Sequence, residues 1–94
     1  MSAVPKGPTR LPDPQNLREV LGYWVRLHRA NKGWSQERMA LECGLDRTYV
    51  SGVERGQWNV SLGNLEIFAN TLGVQAWSLL HPPPGSTPPS RPPK

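Results

Sequence analysis

An all-α fold of five short helices follows from three features of this 94-residue sequence. Apolar residues recur at three- and four-residue spacing in several stretches, the period of a helix face rather than of a strand. Gly33, Gly44, Gly56 and Gly73 close these stretches, and small polar residues suited to helix caps open them. All eleven prolines lie outside residues 15–81, which brackets a folded segment from Asn16 to Leu80. The expected organisation is a flexible N-terminal arm over 1–12, a helical domain over 13–81 and a disordered proline-rich tail over 82–94. A core of this size is marginal alone, so a second copy of the chain would help it.

Helix 1 has two possible starts. Asp13 caps with Pro14 at the first helical position, or Asn16 caps with Glu19 three residues on, a variant of the capping box. In either case Leu17, Val20, Leu21, Trp24, Leu27 and His28 repeat at helical spacing toward a core. His28 reads as a structural or surface histidine. Lys32 and Gly33 end the helix.

Helices 2 and 3 lie in Ser35–Gly56, SQERMALECGLDRTYVSGVERG. Ser35 is the N-cap candidate of helix 2, with Trp34 and Met39 at the spacing of a hydrophobic staple. Arg38 and Glu42 form an i,i+4 surface pair. Gly44 ends helix 2 in the left-handed conformation, Asp46 caps helix 3, and Gly56 stops it. The small Ala40 lets the two helices cross closely. On helix 3, Val50 and Val53 point one way, toward the core, with Tyr49 and Glu54 on the flanks. Arg47, Thr48, Ser51 and Arg55 cluster opposite, with Gly52 beside them, and these five with the flanking Tyr49 are the expected DNA-contacting residues of this helix. Two guanidiniums and two hydroxyls on an otherwise slim face are the chemistry of a helix in the DNA major groove, where arginine reads guanine.

A small residue and a glycine at these spacings form a helix-turn-helix layout. Over roughly residues 17–80 the chain closely resembles the phage-repressor/Cro superfamily of XRE-type regulators. LDRTYVSGVERG followed by NVSLGNLEIFANTLGV is most similar to the controller proteins of restriction–modification systems. The resemblance implies a repressor-like, sequence-specific DNA-binding transcriptional regulator that binds a palindromic operator as a homodimer, with helix 3 (about 46–55) in the major groove. It implies an ion pair between Arg29 and Glu54 that docks helix 1 on the recognition helix. It also implies phosphate contacts from Gln36 at the start of helix 2, and from Asn59, Ser61 and Asn64 around the start of helix 4. Trp58 departs from the family, which often carries a polar or basic residue there; it lies against the sugar–phosphate backbone or covers the corner between helices 3 and 4, the corner being the favoured reading.

Helix 4 is expected over about Leu62–Leu72, with Leu65, Phe68, Ala69 and Leu72 on one stripe and Gly73 after its end. A short helix 5 over Val74–Leu80 turns Trp77 and Leu80 inward. Ile67 falls about 180° round helix 4 from its core stripe, and Leu79 is offset from that of helix 5. Ile67 and Leu79, together with Trp77, form the expected dimer interface.

The remaining composition mainly excludes. The net charge is +4, but the segment from Asn16 to Leu80 carries only one excess positive charge, so the placement of arginines carries the argument for DNA, not their number. One cysteine, Cys43, excludes an internal disulfide and suits a reducing cytoplasm. No apolar run approaches the roughly 18 residues of a membrane span, and no secretory leader is visible. Cys43 with His28 or His81 is no nucleophile motif, and one cysteine with two histidines has no zinc spacing. An enzyme, a cofactor or metal site and a small-molecule ligand are therefore not expected. The alternative function is an antitoxin-type regulator that uses the same fold to bind a protein partner.

Overall fold

The computed structural model describes residues 5–86. Among them four α-helices, α1 (Leu17–Asn31), α2 (Gln36–Cys43), α3 (Arg47–Glu54) and α4 (Leu62–Leu72), are followed by a 3₁₀ helix, Ala76–Leu80. No helix among the described residues is long and apolar enough to cross a membrane. The caps explain most boundaries. The side chain of Asn16 accepts from the Glu19 N–H and its amide donates back to Glu19, which selects the second of the two possible starts of α1. Ser35 and Ser61 cap α2 and α4 by accepting from the N–H groups of Arg38 and Asn64, each at 3.0 Å. Asp46 occupies the cap position of α3 but makes no side-chain cap bond.

The core lies where α1, α2, α3, α4 and the 3₁₀ helix meet. Val25, Met39, Val50, Phe68 and Leu79 have no exposed surface there, and each such burial stabilises by about 1.5–3 kcal/mol. The α4 stripe is the expected one: Leu65, Phe68, Ala69 and Leu72 are buried. Two other faces differ from expectation. On α1 the buried set is Val20, Leu21, Gly22, Val25 and Arg29, while Leu17 is 56% exposed. The helix is turned by about one residue, or 100°. Gly22 and Arg29 set that turn. A Cβ at Gly22 would stand 2.6 Å from the carbonyl oxygen of Val53, so α1 and α3 touch backbone to backbone at that point. Trp24 and His28 are carried to the flank, where their rings stack 5.7 Å apart and the Trp24 indole donates to the His81 carbonyl at 2.7 Å. Partial burial, with Lys32 nearby, lowers the pKa of His28.

The second difference is the last helix. It is 3₁₀, not α, so its period is three residues. Ala76 and Leu79 share the inner side, Leu79 is fully buried, and Trp77 is 68% exposed. The expected orientation of Trp77 and Leu79 is thus reversed, and Leu79 is a core residue, unavailable to a dimer interface.

The chain beyond the helices also packs. Pro12 and Pro83 are buried, and Ser86 donates through its hydroxyl to the Pro83 carbonyl at 2.6 Å. On the other side of the domain's ends, Arg26 of α1 donates to the Lys6 carbonyl at 3.3 Å. Leu11 lies beside Gly85, 3.2 Å from where a Cβ would stand. Proline has an apolar ring and no N–H to satisfy, so burying it costs no hydrogen bond. The expected arm and tail are therefore corrected for residues 5–12 and 82–86; residues 1–4 and 87–94 lie outside those described. A chain trimmed to 13–81 should melt lower than the full chain by several degrees, since about 1 kcal/mol shifts a domain of this size by about 4–8 °C. Coincident calorimetric melts would contradict the packing of the two ends.

Candidate nucleic-acid interface

The α2–α3 unit is shaped by a tight turn and a buried ion pair. Gly44 takes φ 70°, a left-handed value open to glycine, and the next N–H, on Leu45, bonds back to the Ala40 carbonyl at 2.9 Å. Ala40 is 4% exposed between the helices. At the far end of α3, Glu54 accepts from Arg29 in fork geometry, Nε to Oε2 at 2.6 Å and Nη2 to Oε1 at 2.9 Å. The third Arg29 nitrogen donates to the Trp34 carbonyl at 2.8 Å, and the Gln36 amide donates to Glu54 Oε1 at 3.1 Å. The paired side chains are only 7% and 3% exposed. Each buried charge is met by its partner and by further hydrogen bonds, the condition under which such a pair is tolerated. The expected pair of Arg29 and Glu54 is thus present, and it joins α1, the entry to α2 and the end of α3.

Of the ten expected DNA-contacting residues, five lie on α3 and a sixth, Arg55, is its C-cap, and they meet different fates. Arg47 and Thr48 are exposed, and neither side chain bonds to another described residue. Their donors are free at the start of the helix. Arg55 is also exposed, but its guanidinium folds back to the Ser51 hydroxyl at 2.6 Å and to Gln57 at 3.2 Å. Tyr49 is half-buried: its ring stacks on Phe68 at 6.4 Å, and its hydroxyl accepts from Asn64 at 3.0 Å. Gly52 is buried beneath the Trp58 indole, so it offers no surface of its own.

The four residues expected at phosphates are each bonded within the chain. Gln36 turns in to Glu54, which uses its amide donor. Asn59 accepts from Arg18 of α1, Ser61 caps α4, and Asn64 reaches Tyr49. These contacts arise because short polar side chains near helix ends find local backbone and side-chain partners first. What remains outward is the first turns of α2 and α4, whose unpaired N–H groups suit anions. Sequence reasoning missed Arg18, Gly22 and Val25. Val25 was findable, since it lies four residues after Leu21 and four before Arg29; nothing local marks the other two.

Cys43 packs half-buried against the core, as a small hydrophobe. Burial pushes its thiol pKa up; a hydrogen bond with Thr71 opposes the shift and Glu42 adds to it. A raised pKa is the reverse of what a nucleophilic thiol needs.

Residues 25–76, more than half of the chain, match the family model described as helix-turn-helix. The control protein C.BamHI of Bacillus amyloliquefaciens is 50% identical over 66 residues, 69% of this chain and 82% of that protein. The crystal structure of the hypothetical transcription factor NHTF from Neisseria superposes with a TM-score of 0.82 at 59% identity, covering 84% of this chain and 89% of that one. The restriction–modification controller protein C.Esp1396I, a tetramer in complex with its natural 35-base-pair operator, gives a TM-score of 0.61 at 33% identity, over 67% of this chain and 83% of that one. The chain belongs to the helix-turn-helix family of XRE-type DNA-binding transcription regulators, with restriction–modification controller proteins among its relatives.

Proposed function

We propose that the chain regulates transcription in the cytoplasm by binding a palindromic operator as a homodimer, with α3 in the major groove of each half-site. The observation that carries this reading is the start of α3. Arg47 and Thr48 stand exposed with donors unused by any other described residue, on a helix whose other end is held by the buried pair of Arg29 and Glu54. A guanidinium carried on a helix held in that way suits the O6 and N7 of guanine, and the hydroxyl suits a neighbouring base edge. The N-terminal N–H groups of α2 and α4 then meet phosphates on either side, which sets register without reading sequence. The operator-bound tetramer of the related controller protein supports an oligomer on DNA.

For the dimer, Ile67 is 36% and Trp77 is 68% exposed, on α4 and the 3₁₀ helix. Large apolar groups at those levels of exposure suit a second subunit. Pairing two copies sets two recognition helices about 34 Å apart, one turn of the double helix. Light scattering on Ile67→Asp should give a monomer where the parent is a dimer, with weaker operator binding. A parent that is monomeric at tens of micromolar and binds one half-site as tightly as two would remove the dimer from this reading.

A further inference from the structure

Gly52 belongs to the outward row of α3. It lies four residues after Thr48 and three before Arg55, so the three share one side of the helix. Thr48 and Arg55 are exposed there, yet Gly52 is buried. Trp58 covers it. A Cβ built on Gly52 would stand 1.8 Å from the indole Nε1, 2.5 Å from Cδ1 and 2.9 Å from Cε2. The indole therefore lies directly on the α3 backbone, in the space that a side chain at position 52 would fill. It covers the α3 side of the corner that leads to α4, while Tyr49 and Val60 pack on the core at that end. Despite this contact Trp58 keeps 45% of its surface exposed.

A broad apolar ring is thus held, with little freedom left to lose, in the row between Thr48 and Arg55. The side chains flanking it, Arg47, Thr48, Ser51 and Arg55, are polar or charged. In the major groove the one apolar mark that separates bases is the C5 methyl of thymine. Resting on the reading of α3 as the groove-entering helix, we propose that Trp58 is a specificity-determining residue: its indole replaces the side chain that Gly52 lacks and contacts a thymine methyl in each half-site.

The test selects tight-binding duplexes from a random-sequence library with the parent chain, then replaces each thymine of the winning duplex in turn by deoxyuridine. That exchange removes one methyl and leaves the pairing edge intact. The parent should lose about fourfold in affinity at one thymine per half-site, the value of one buried methyl group. Trp58→Ala should be indifferent at that position while keeping the parent's guanine preference. Should the alanine variant fail to fold by circular dichroism, Trp58→Gln, which still covers the helix backbone, replaces it in the same comparison. Equal sensitivity to deoxyuridine in parent and variant, or a uniform loss on every duplex as for a sugar–phosphate contact, would overturn the proposal and leave the groove reading standing. A parent that enriches no duplex would overturn the groove reading itself.

Discussion

Arg47→Ala should fold as the parent does and lose its preference for operator over random DNA. The side chain is exposed and makes no hydrogen bond to another described residue, so its removal costs the fold little. A fork contact to guanine is worth about 1–3 kcal/mol of discrimination, and a dimer forms that contact twice. Arg47→Lys separates charge from geometry. It keeps attraction to phosphate but not the planar fork, so binding to random duplexes should survive while the preference falls. Competition binding between the selected duplex and a scrambled one measures both. An alanine variant that discriminates as well as the parent would remove Arg47 from the reading.

The largest effect on stability should come from Arg29→Met. It strands the Glu54 carboxylate, 3% exposed, with Gln36 as its one remaining side-chain partner among the described residues. Breaking a buried pair in this way costs about 3–5 kcal/mol, a large share of the roughly 5–15 kcal/mol that holds a domain together. Arg29→Met with Glu54→Leu should be more stable than Arg29→Met alone, because no charge is left unpaired. Urea melts of the parent, both singles and the double close the cycle. A double-mutant loss equal to the sum of the two single losses, within about 0.5 kcal/mol, would mean that the residues do not interact. The pair also ties α1 to the end of α3, so the single variant should bind DNA more weakly even where it is folded.

What was legible in the sequence is what is decided locally. The bounds of α4 and its four buried residues, the serine caps and the turn at Gly44 each depend on residues within a few positions of one another. The Arg29–Glu54 pair was legible through the family resemblance alone, since its partners are 25 residues apart. The misread parts are settled by distant contacts. Nothing near Gly22 says that α3 will press on it, yet that approach turns α1 and exposes Leu17. Leu79 was misassigned because the final helix repeats every three residues, and an α period points it the wrong way. The proline-rich ends were read from composition as unable to pack, although the Pro12 and Pro83 rings are themselves apolar surface. At the candidate interface, face assignment placed Arg47 and Thr48 outward, and both are exposed. It could not see that Gln36, Asn59 and Asn64 would bond to Glu54, Arg18 and Tyr49 within the chain, or that Trp58 would lie down on Gly52.

A footprint of the chain on the DNA upstream of its own coding sequence tests the central claim most directly. The account predicts two protected half-sites of inverted sequence, their centres about 10 base pairs apart on one face of the duplex. It further predicts that methylation of guanine N7 within each half-site interferes with binding, because Arg47 occupies that edge. Protection of a single unsymmetrical stretch, or binding indifferent to guanine methylation, would contradict it.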